Sequence, residues 1–137
     1  MNLGDVVLTS PHSGLVDLQS YYLKPIVIFN SASLCGYTNQ LLDFQKLYET
    51  GKIIPMAIPT NQFGKQEPGD QQEIFQHYYT KYGVRFPVLE KATLQSDFFI
   101  KFGNPSWNFN KYLFDKKHNF IKKFEANLKP AELINYV

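Results

Sequence analysis

The chain has 137 residues, room for one compact domain, and 44% of them are hydrophobic, enough to build an apolar core without staples. Its one cysteine permits no internal disulfide, so the sequence does not read as a small secreted disulfide scaffold. A formal net charge of +2 on scattered lysines falls short of the concentrated field of a nucleic-acid binder, and no nucleic-acid partner is expected.

In chain order, Met1 to Asp5 lacks the charged start and apolar run of a signal peptide. No apolar stretch reaches the roughly 20 residues that span a bilayer. The expectation is a soluble, cytoplasmic protein with no membrane span. Ile26-Val27-Ile28-Phe29-Asn30 is a β-branched apolar run that reads as a buried strand, ending in the small-residue turn Ser31 to Gly36. Thr38 to Tyr48 places Leu41, Leu42, Phe44, Leu47 and Tyr48 near helical spacing, and Gly51 closes that helix. Ile53 to Ile58 reads as a second strand, although Pro55 removes a ladder donor. Asn61 to Gly69 is a loop. Asp70 and Glu73 form a capping box for a helix to about Lys81, broken by Gly83. Val88 to Thr93 reads as a third strand. Trp107–Phe114 and Asn119–Glu125 read as a strand pair, and the basic cluster Lys116-Lys117-His118 with Lys122-Lys123 as the solvated turn between them. Pro130 suits a first helical position, with Ala131 to Val137 a closing helix. The order predicts an α/β layer with helices on both faces of a central sheet and its first two strands parallel.

Cys35 falls after a strand and ahead of a helix, where free N–H groups and a partial positive charge favour a thiolate. A thiolate attacks a peroxide oxygen and becomes a sulfenic acid. Equally, a lone cysteine packs as a small hydrophobe. The amides of Asn61 to Gly69 and the indole and amide of Trp107-Asn108 are neutral donors that suit a thiolate. Taken separately, they also suit a self-satisfied turn and core packing. One cysteine with scattered His12, His77 and His118 lacks metal-ligand spacing.

Together three stretches resemble the glutathione peroxidases: Asn30-Ser31-Ala32-Ser33-Leu34-Cys35-Gly36, then Ile58 to Gly69 with Asn61-Gln62-Phe63-Gly64-Lys65-Gln66-Glu67-Pro68-Gly69, then Trp107-Asn108-Phe109. The resemblance, to a one-cysteine, non-selenium member, runs from about Lys24 to the C-terminus. It implies a thioredoxin-like fold, with a central mixed sheet flanked by helices, and the length makes residues 1–137 a single such domain. It implies a peroxidase in which Cys35 attacks, while Gln66, Trp107 and Asn108 hold the thiolate and stabilise the departing oxygen. Ser31, Ile58 and Thr60 depart from the usual residues at their positions. The helix Ile74-Phe75-Gln76-His77-Tyr78-Tyr79 lacks the resolving cysteine of thioredoxin-using members, so an external thiol, glutathione, is the expected co-substrate; no cofactor is implied. The segment between Thr93 and Trp107 is short for the family, which implies a monomer and a site open to bulky hydroperoxides. In thioredoxin-like folds a cis proline often stands beside the active cysteine, and Phe86-Pro87 is the candidate. A thiol redox sensor or relay, and an inactive thioredoxin-fold binding module, are the alternative readings.

Overall fold

Strand β3 (Ile26–Ser31) lies at the centre of a four-stranded sheet of order β4-β3-β5-β6, with β4 at Ile54–Pro59, β5 at Lys111–Phe114 and β6 at Phe120–Phe124. The structure is a computed structural model and describes residues 1–137. β3 and β4 run parallel, because helix α1 (Gln40–Thr50) carries the chain back between them; β5 and β6 are antiparallel. The sheet is therefore mixed, as expected. A separate two-stranded hairpin, β1 (Thr9–Ser10) with β2 (Gly14–Leu15), precedes it.

Alternation along the strands builds two cores. Val27, Phe29, Ala57 and Leu113 face α1 and α2 (Gln71–Tyr82), meeting Leu41, Phe44 and Leu47 from one helix and Ile74, Tyr78 and Tyr82 from the other. Ile26, Ile28, Met56, Tyr112 and Phe114 face the opposite way, onto Phe98, Phe99 and Phe102 of helix α3 (Asp97–Phe102). No helix is long and apolar enough to cross a membrane.

Both helix stops fall where glycine was expected, with left-handed Gly51 (φ 70°) and Gly83 (φ 67°). The Asp70–Glu73 capping box is formed in both directions. Pro55 costs β4 nothing. Ile54 donates toward β3, to Pro25 O at 2.9 Å, and Ala57 donates away from it, to Pro87 O at 3.0 Å. Residue 55, in step with Ala57, would also point its N–H away from β3.

Several expectations change. Val88 to Thr93 is not a strand: Val88 bridges Ala57 alone, after which Glu90 N–H donates to Thr9 O and Ala92 N–H to Pro59 O. Its donors are divided between two neighbours, so no ladder forms. Trp107 to Asn110 is a turn rather than the start of β5, because Phe109 adopts φ 64°. α1 begins at Gln40 and not Thr38. The closing segment Pro130–Tyr136 is a 3₁₀ helix. Helix α3 was not anticipated. There is no cis peptide bond, so Phe86–Pro87 is trans.

Candidate active site

The turn carrying Cys35 follows β3 directly. Thr38 fixes it from inside: its Oγ1 accepts from the Cys35 N–H at 3.0 Å and donates to Ala32 O at 2.9 Å. Successive short turns lead into α1, with Thr38 N–H donating to Cys35 O and Gln40 N–H to Tyr37 O. Cys35 is half-buried, and the Tyr37 N–H donates to its Sγ at 3.4 Å. That is the donor arrangement expected ahead of a helix, made here by the turn instead of the first helical turn.

Gln66 reaches the same place from the loop after β4. Its carbonyl accepts from the N–H groups of Ser33 and Leu34, both at 3.1 Å, which ties this loop to the Cys35 turn. Asn108 is fully buried and donates through Nδ2 to Gln66 Oε1 at 2.9 Å and to Phe63 O at 3.3 Å. With its oxygen committed to Asn108, Gln66 presents its NH₂ end as a free donor. Asn108 Oδ1 is buried and unpartnered. Gly64 (φ 68°) lets Trp107 come close: a Cβ there would lie 3.2 Å from both the Gln66 side chain and the indole ring. Trp107 packs edge-on against Phe63 and is 39% exposed, so it is a rim residue and not core.

Gln66, Trp107 and Asn108 are thus brought together, and the backbone joins them to the Cys35 turn. The thiol itself bonds none of the three side chains; its partner is Tyr37.

Two sets of supporting residues were not singled out from sequence. Asn30, fully buried at the end of β3, holds the Trp107 turn through three bonds: Nδ2 to Trp107 O (2.8 Å), Oδ1 from Asn110 N–H (2.9 Å) and its carbonyl from Phe109 N–H (2.7 Å). A polar residue inside an apolar strand run was the available signal. Glu67, next to Gln66, is buried and accepts from Ser33 Oγ at 2.5 Å and from the Tyr78 hydroxyl, which is also 2.8 Å from Ser31 Oγ. Burial raises the Glu67 carboxyl above its ordinary value despite these donors, and burial raises Tyr78 well above its own. A cleft of about 360 Å³ between Val7–Thr9 and Leu89–Phe98 holds none of the four residues.

Known proteins resemble this chain in sequence and in fold. The family model described as Glutathione peroxidase matches residues 5–99, which include Cys35 and Gln66 and stop before Trp107. The glutathione peroxidase homolog BsaA of Staphylococcus epidermidis is 35% identical over 145 residues, covering 94% of this chain and 92% of that protein. The glutathione peroxidase-like peroxiredoxin gpx1 of Schizosaccharomyces pombe is 35% identical over 128 residues, covering 82% and 81%. In three dimensions the chain resembles Trgpx in its apo form, with TM-score 0.72 and 22% identity over 99% of this chain and 92% of that one. It also resembles a thioredoxin-like protein from Aeropyrum pernix, with TM-score 0.72 and 18% identity over 96% and 88%. The fold is thioredoxin-like, and the chain belongs to the glutathione peroxidase family.

Proposed function

We propose that Cys35 is the nucleophile of a thiol-dependent peroxidase and that glutathione is the reductant. Membership of the family makes the chain a peroxidase, an oxidoreductase acting on peroxide. The Cys35 thiolate attacks one peroxide oxygen, the O–O bond breaks, and the thiolate becomes a sulfenic acid. The other oxygen leaves as alkoxide or hydroxide and takes a proton. The Trp107 indole and the free NH₂ end of Gln66 are the neutral donors for that charge, worth most where water is excluded, and Asn108, whose two amide N–H groups are taken by Gln66 Oε1 and Phe63 O, holds Gln66 in that orientation. The observation that carries this reading is the pairing of Gln66 with Asn108 on a loop whose backbone is bonded to the Cys35 turn.

With one cysteine in the chain, the sulfenic acid has no internal thiol to meet. A first glutathione expels water and forms a mixed disulfide; a second releases Cys35 as thiolate with glutathione disulfide. Leu34, Tyr37 and Trp107 are exposed apolar side chains around the Cys35 turn, which favours a bulky organic hydroperoxide as substrate. The short segment between Thr93 and Trp107 folds as α3 onto its own sheet, in keeping with a monomer, and we place the activity in the cytoplasm.

The test is Cys35→Ser, expected to keep the fold and lose all peroxide reduction; a Ser variant that still turns over removes Cys35 as nucleophile. A redox relay is the second reading, favoured by the same apolar rim, which would suit a protein partner. Sustained turnover with glutathione alone selects the peroxidase; reduction only by a partner protein selects the relay.

A further inference from the structure

Lys111 opens β5 three residues after Asn108, yet its side chain is fully buried. It shares the α1-facing side of the sheet with Leu113, and its Nζ sits 5.9 Å from the centre of the Phe44 ring. No carboxylate pairs with it. Its amine donates to two backbone carbonyls, Phe109 O at 2.8 Å and Ala126 O at 3.0 Å. Both acceptors matter to the site. Phe109 is the left-handed residue (φ 64°) that turns the chain directly after Trp107 and Asn108. The Ala126 carbonyl also accepts from Gln40 Nε2 at 2.8 Å, and Gln40 is the first residue of α1, the helix that follows the Cys35 turn. One carbonyl is therefore shared between the segment carrying Cys35 and the segment carrying Trp107 and Asn108, and Lys111 is the link on the second side.

We propose that Lys111 is a positioning residue for the peroxidase reaction, holding the Trp107–Asn108 turn in register with the start of α1 through the carbonyls of Phe109 and Ala126. This rests on the reading of Cys35 as nucleophile. The donor count fits an uncharged amine, whose two N–H groups match the two carbonyls; an ammonium would bury a third N–H without a partner. Burial lowers this amine to about 7, and the one charge acting against that is Glu132 in the C-terminal 3₁₀ segment. The other elements packed there contribute Phe29 from β3, Phe44 and Gln40 from α1 and Phe124 from β6, none of which titrates.

The test pairs Lys111→Met, which keeps the length and removes both donors, with two readouts. One is the rate of Cys35 oxidation by hydroperoxide, expected to fall at least tenfold in K111M. The other is emission from Trp107, the only tryptophan of the chain, recorded in a Cys35→Ser background so that no thiol titrates. With Lys111 present it should change around pH 7, and in K111M it should be flat between pH 6 and 8. A K111M protein that oxidises at the wild-type rate overturns the proposal, as does one whose Trp107 emission titrates as before. If K111M does not fold, the Cys35→Ser protein alone decides, and pH-independent emission there overturns the proposal. Wild-type protein that oxidises no faster than free cysteine would instead sink the peroxidase reading, while the emission readout still tests Lys111.

Discussion

Trp107 shows how little a side chain's type says about its place. The sole tryptophan of an apolar chain is a core residue by default, yet here it is 39% exposed beside Gly64, and Asn30 fixes its backbone. Because it is exposed, Trp107→Phe should change stability by less than about 0.5 kcal/mol. It removes an indole N–H, and Cys35 oxidation should slow about tenfold or more, measured by stopped-flow peroxide consumption; an unchanged rate would remove Trp107 from the donor set. Tyr78 is the opposite case, fully buried and held by Glu67 and Ser31. Tyr78→Phe leaves a buried carboxyl short of a donor and should cost about 1–3 kcal/mol in urea unfolding. The four candidate residues were legible in their motifs. Asn30, Glu67 and Tyr78 were not singled out, because their roles are hydrogen bonds between segments up to 80 residues apart.

Elements with strong local signals were read correctly, and those defined by their neighbours were not. The Asp70–Glu73 box and Gly83 fix both ends of α2 within the chain's own backbone, and the sequence shows them. Asp70→Ala should therefore cost about 1 kcal/mol, seen as a lower midpoint in thermal or urea unfolding, with no loss of peroxide chemistry. Val88 to Thr93 has strand composition, but strand identity needs a ladder, and its donors are split between β4 and the hairpin. Helix α3 has six residues, too few turns for periodicity to stand out; Ser96 and Gly103 bound it and its three phenylalanines are buried. The Trp107 turn was hidden in an extended-looking run because a phenylalanine rarely takes φ 64°; Asn30 and Lys111 hold it there.

At the scale of the molecule, the mixed sheet collects the two loops and the turn that carry the candidate site at the ends of β3 and β4 and the start of β5, which is why the paired Gln66 and Asn108 come to lie on a loop whose backbone is bonded to the Cys35 turn. The same architecture buries Lys111 between sheet and α1, with consequences for stability. Its amine is lowered to about 7 in the fold, against roughly 10.4 in an unfolded chain. Between those values the unfolded chain binds the extra proton, so the Lys111 contribution is full above the unfolded value and is lost as pH falls toward 7, on the order of a few kcal/mol. Urea midpoints should rise with pH across that window in the wild type and lose that rise in K111M. Whether the fold assembles Cys35, Gln66, Trp107 and Asn108 into a peroxide-reducing site is read from the rate of oxygen addition at Cys35. Reduced protein is mixed with a small excess of an organic hydroperoxide, quenched at short times and weighed intact. The expected rate is orders of magnitude above that of free cysteine at the same pH, and faster with a bulky hydroperoxide than with hydrogen peroxide. A rate no greater than that of free cysteine would contradict it.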